Sequence, residues 1–198
     1  METELLQSYI TDTKYKIETL CNSGSYKSAL GFAEELLAVL KEKKGESNEV
    51  AWTYSMLAYI ERCLEDYKSA ETYLLEEIRV RKEMGVENIE LALAYNWLGY
   101  IYLRLHKSDH FFVIHNYIKA LDILKAISPD FDVDHSIAVV SYNLGLIHFY
   151  ERHYTQAKDY LNASLDKVRS LYESEHPDRV LFENKIAEVF QEMESTDE

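Results

Sequence analysis

Three histidines lie close together at His106, His110 and His115, with Asp109 between the first two. Imidazoles four residues apart on one helix face can ligate zinc. Here the interval from His106 to His110 straddles an expected turn between helices, so the pair need not share a face. The HExxH pattern of zinc hydrolases occurs nowhere. A second candidate is Asp130-Phe131-Asp132-Val133-Asp134, which has the spacing that opens a calcium-binding loop. Counted from Asp130, such a loop needs glycine at its sixth position and glutamate at its twelfth, and these are His135 and Ser141. A polar loop that starts a helix, with Asp134 or a neighbour as its cap, is the simpler reading. Cys21 and Cys63 fall on helical segments in apolar company, where reduced, buried thiols are expected. There is no Gly-rich phosphate loop, no G-x-S-x-G elbow and no C-x-x-C. No acid, base, nucleophile or metal set converges, so the chain reads as non-enzymatic, with no catalytic residue, cofactor or metal.

What must position any site is almost entirely helix. The 198 residues are 47% hydrophobic and include only two prolines and six glycines, too few turn-formers for anything but long helices with short connections. Lys and Arg number 21 against 35 Asp and Glu, a net charge of −14. That field repels phosphates, so no nucleic-acid partner is expected. Lys41, Lys43 and Lys44 suit a helix C-terminus ahead of Gly45. The start, Met1-Glu2-Thr3-Glu4, has no basic region, and no run reaches the ~18 apolar residues of a membrane helix. A cytoplasmic protein without a membrane partner is expected.

A phrase recurs about every 40 residues: Tyr26-x-x-Ala29, Tyr67-x-x-Ala70 and Tyr154-x-x-Ala157, with a degenerate copy at His110-x-x-Val113. Nine positions before the anchor stands a small residue, Ala58 or Gly145; Gly99 is displaced by about two residues, and Ile17 alone breaks the rule. Small residues there let two helices approach closely. The apolar period and the breakers predict helices over about 3–22, 25–43, 48–64, 67–84, 88–105, 109–127, 135–151, 154–173 and 178–194.

These phrases resemble the tetratricopeptide repeat (TPR), most clearly in Tyr95-Asn96-Trp97-Leu98-Gly99-Tyr100-Ile101-Tyr102 and Tyr142-Asn143-Leu144-Gly145. The long period is similar to that of kinesin light chains and bacterial TPR sensor proteins. The resemblance implies an all-α, right-handed helical-hairpin solenoid in a single domain spanning 1–198. Its four repeats lie at about 3–45, 46–86, 87–130 and 133–174, followed by a capping helix at about 178–194.

In such a solenoid the first helix of each hairpin (helix A) lines a concave groove. Counting from the small-residue anchor, the groove positions are Trp52, Ser55, Tyr59 and Arg62; then Leu93, Asn96, Tyr100 and Leu103, with Arg104 at the edge. The fourth repeat gives Val139, Tyr142, Leu146 and Phe149, and the first gives Thr11, Lys14, Glu18 and Cys21. Asn96 and Asn143 offer both amide ends to a peptide backbone. A peptide or protein segment is the expected partner. The carboxylate clamp of chaperone-binding repeats fails here: Lys14 fits it, but Glu18, Met56, Leu93 and Trp97 occupy the other clamp positions. Bacterial pheromone receptors join their repeats to an effector domain, and none is expected within these 198 residues. One alternative is a sensor subunit acting on a separate effector. Another is self-association, because Phe111 and Phe112 in His110-Phe111-Phe112-Val113-Ile114 exceed what one hairpin buries and would seat a homodimer.

Overall fold

The computed structural model describes residues 2–85, 87–105, 110–127 and 129–196, all helix or short connection, with no strand among them. Nine helices are found in these residues: α1 (Glu2–Asn22), α2 (Tyr26–Lys43), α3 (Asn48–Cys63), α4 (Tyr67–Glu83), α5 (Ile89–Leu105), α6 (Phe111–Ala126), α7 (Phe131–Tyr150), α8 (Tyr154–Leu171) and α9 (Pro177–Thr196). They fall into two compact units, 1–87 and 88–198. In the first, each helix packs on the next from α1 to α4; in the second, from α5 to α9, with α9 also touching α7.

Local chemistry sets the helix ends. Ser47 accepts a hydrogen bond from the Val50 amide (3.3 Å), Asp66 from Ser69 (3.1 Å) and Asn88 from Leu91 (3.1 Å), each satisfying an amide that the helix cannot. Lys41 and Lys43 lie in the last turn of α2, beside the carbonyl end of the dipole. The turn after α3 has Glu65 at φ 63°, and the turn after α7 has Arg152 at φ 59°, a left-handed conformation usually left to glycine.

One expected boundary is corrected. The α7 helix begins at Phe131, not near 135, and its cap is Asp130, whose carboxylate accepts from the Val133 amide at 2.8 Å. Asp132 and Asp134 therefore sit in the first helical turn, where the amide end of the dipole favours negative charge. Asp134 also pairs with Lys167 of α8 at 2.6 Å. The carboxylates that suggested an ion-binding loop thus start a helix. Ser128, His106 and Asp109 lie outside the described residues.

The hairpins close on the small residues of the repeated phrase. A Cβ on Gly99 would stand 2.7 Å from Cε1 of Tyr117, and one on Gly145 would stand 2.6 Å from Cγ of Leu161. The partner of each glycine is therefore a residue inside the second helix, not the anchor at its start. In the first unit the core joins Ile10 and Ile17 of α1, Leu36 and Leu40 of α2, and Leu57 and Ile60 of α3, all essentially inaccessible to solvent. In the second unit, Leu161 and Leu165 of α8 close on Ile186, Val189 and Met193 of α9. Cys21 is buried as expected, whereas Cys63 is only half-buried; both thiols are free.

Candidate functional site

The expected groove positions of the first unit come from α1 and α3. Lys14 Nζ lies 4.1 Å from the centre of the Trp52 ring, and the Arg62 guanidinium carbon 5.1 Å from that of Tyr59. Each cation is thus held against a negative ring face. Ser55, one turn after Trp52, is half-buried on the same helix. Tyr59 meets Tyr26 of α2 edge to face, with centroids 6.3 Å apart. Burial, reinforced by hydrogen bonds with Tyr26 and Cys63, pushes the Tyr59 hydroxyl up to about 12, so it stays protonated. Beside it, Glu18, Cys21, Asn22, Met56 and Tyr59 line a shallow depression of about 330 Å³. Burial, with Cys63 and Glu18 nearby, raises the pKa of the Cys21 thiol, which keeps it un-nucleophilic. The depression is a place for contact, not for chemistry. Asn22 and Met56 were missed as lining residues; Met56, four residues after Trp52, was within reach of a helical count.

The second unit differs. Asn143 Nδ2 donates to Asn96 Oδ1 at 3.0 Å, linking α7 to α5. Asn96 is only 5% exposed, so the two amides bond each other before they meet any ligand. Tyr100 is half-buried and packs edge to face with Trp97, ring centres 6.0 Å apart; Arg104 is exposed. Trp97 is 40% exposed. Tyr142, Leu146 and Phe149 all pack against the core shared by α8 and α9, and the Tyr142 ring sits 5.6 Å from Phe182 of α9. In the fourth hairpin the face counted as groove is therefore partly the bed of the last helix. The helical count identifies a face but not what covers it.

Of the remaining histidines, His110 bonds through Nδ1 to the Glu151 carboxylate, and His115 stacks on Phe111. His148 lies flat against the Tyr160 ring at 5.4 Å, with its Nδ1 buried and without a hydrogen-bond partner. Burial first, then His153, lowers its pKa from 6.5, against the opposing pull of Glu151. A folded pKa below the unfolded one stabilises the fold fully above pH 6.5 and less as pH falls through the folded value. Urea denaturation should show the second unit weakening from pH 7 toward pH 5.5, and His148→Phe should flatten that slope. An unchanged slope in the variant would assign the acid sensitivity to other groups.

No helix among the described residues is long and apolar enough to cross a membrane. A tetratricopeptide-repeat family model matches residues 50–84, which span α3 and α4. No curated protein sequence matches the chain. Among solved structures the chain is similar to BtubC (BKLC) of P. vanneervenii, with a TM-score of 0.76 and 19% identity, covering 96% of this chain and 77% of that one. It is also similar to a kinesin-light-chain-like protein of Podosopora anserina with nearly identical TPR-like repeats, with a TM-score of 0.72 and 13% identity, covering 92% and 85%. At such identities the likeness is one of fold. That likeness, the matched repeat at 50–84 and the recurring hairpin phrase agree: residues 50–84 match a tetratricopeptide repeat, and the chain has the all-α helical-repeat fold of TPR-like proteins.

Proposed function

We propose that this chain is a cytoplasmic adaptor that binds a peptide or protein segment on the groove faces of its A helices, α1 and α3 in the first unit and α5 and α7 in the second. The observation that carries the reading is the pair of ring-held cations on α1 and α3, Lys14 on Trp52 and Arg62 on Tyr59. A cation fixed on a ring loses little side-chain freedom on meeting an acidic ligand group, and the ring beside it offers apolar contact. Tyr100, Arg104 and Asn143 supply the corresponding face on α5 and α7, with the buried Asn96 anchoring the Asn143 amide that fixes backbone register. Tyr142, Leu146 and Phe149 contribute where α9 leaves them half-exposed. The net charge of −14 works against nucleic acid as the ligand.

Selection from a random peptide library on the whole chain tests this. The selected peptides should be enriched in acidic and apolar residues. Trp52→Ala, with helicity retained, should bind them about ten-fold or more weakly, as expected for truncation of an aromatic anchor. Peptides that bind Trp52→Ala and Tyr100→Ala as well as they bind the parent would overturn the reading. The exposure of Phe111 (67%) and Phe112 (50%) favours a second reading, in which two copies associate.

A further inference from the structure

The outward face of α6 has the pattern of a helix that pairs with itself. Its exposed stripe is Phe111, His115, Ile118, Asp122 and Lys125. The steps along it are four, three, four and three residues, the 3.5-residue period of a two-helix seam. Phe111 is 67% exposed and Ile118 38%. The Phe111 ring lies parallel to His115, with centroids 6.2 Å apart, so the two form one flat surface. Phe112 widens the apolar end and leans on Tyr102 of α5. The helix has one other charged residue, Lys119, and it is turned aside, with its Nζ 5.3 Å over the Tyr95 ring of α5. Asp122 and Lys125 form no ion pair within the described residues.

We propose that two copies of this chain associate through an antiparallel seam of their α6 helices, with the two-fold axis at Ile118. About that axis the numbers of facing residues sum to twice 118. Ile118 then meets its own copy, and Phe111 meets Lys125, a cation against a ring. His115 falls within one residue of Asp122, an axial offset of about 1.5 Å. Each of these contacts occurs twice, as a two-fold interface requires. A parallel seam would instead set Asp122 on Asp122 and Lys125 on Lys125.

Charge selects the same face. Two chains of net charge −14 repel each other over most of their surface, whereas α6 carries Lys119 and Lys125 against Asp122 alone. A seam one 16-residue helix long measures about 24 Å and buries less than the roughly 800 Å² per partner of a stable standard interface. The dimer is therefore reversible and concentration-dependent. No residue of the seam belongs to an A helix, so this inference stands apart from peptide binding.

Sedimentation equilibrium of the whole chain across a wide concentration range tests it. The parent should pass from monomer to dimer. Ile118→Glu and Asp122→Lys should each weaken association by about ten-fold or more with helicity unchanged, and His115→Glu combined with Asp122→Lys should restore it. Ile118→Cys gives a readout independent of folding stability. With oxidised glutathione it should form a disulfide-linked dimer that the parent, with its own Cys21 and Cys63, does not form. Lys125→Cys should not link to itself, because its copy lies about 21 Å away along the seam. A parent that is monomeric throughout would overturn the proposal. So would a dimer that survives Ile118→Glu, or equal cross-linking at the two engineered cysteines.

Discussion

Replacing Arg81 by methionine should destabilise the first unit by about 3–5 kcal/mol, the usual cost of leaving one member of a buried ion pair behind. Arg81 Nε donates to Glu77 Oε1 at 2.9 Å, and the two side chains are 7% and 2% exposed. The carboxylate of Glu77 has almost no water to fall back on, so losing the guanidinium leaves a buried negative charge without its adjacent counter-charge. Neutralising both partners, Glu77→Gln with Arg81→Met, should recover most of the loss. Arg79 is the contrast. It contacts Glu46, Glu76 and Glu83 at 2.8–3.0 Å, yet its side chain is 38% exposed. Arg79→Met should cost only about 1 kcal/mol, because water and salt screen exposed pairs. Urea denaturation of the three variants would decide. If Arg79→Met proved the costlier change, burial would not govern these pairs.

Gly145→Val should cost the second unit about 3 kcal/mol or more, at the upper end for overpacking a closed core. A Cβ at Gly145 would meet Leu161 Cγ at 2.6 Å and its backbone nitrogen at 3.3 Å, so the α8 backbone is implicated as well as a side chain. Leu161 is fully buried and has nowhere to swing. Alanine ordinarily gains about 1 kcal/mol over glycine within a helix, yet here Gly145→Ala should still lose stability, because the contact outweighs the propensity. The same holds for Gly99→Ala against the Tyr117 ring, which is 2% exposed. Leu161→Ala opens a cavity that can receive the added carbons, so Gly145→Val with Leu161→Ala should cost less than the two changes summed. Additive losses would mean that the two helices separate instead of sharing the space.

These two sites also show what a single sequence can convey. The close approach at Gly99 and Gly145 was legible because a small residue at a fixed offset in a repeated phrase points to tight contact between paired helices. Its actual neighbours, Tyr117 and Leu161, were not, since they depend on how far one helix slides along the other. Helix ends were read to within a few residues where glycine or a short polar turn marks them. The start of α7 was missed because Asp130, Asp132 and Asp134 serve equally well in a loop or in a first turn, and only the backbone chooses. Glu77 and Arg81, four apart, look like any solvated helical pair; their burial comes from packing that periodicity does not encode. The Asn96–Asn143 bond joins two helices 47 residues apart in sequence, beyond any local count.

The central claim is that the A helices carry the ligand. Amide hydrogen exchange on the whole chain, with and without a saturating selected peptide, tests it most directly. The account predicts added protection over 52–62 in α3 and 96–104 in α5, with α2, α4 and the outer face of α6 unchanged. Protection confined to those second helices would contradict it, and would move the binding surface to the opposite side of each hairpin.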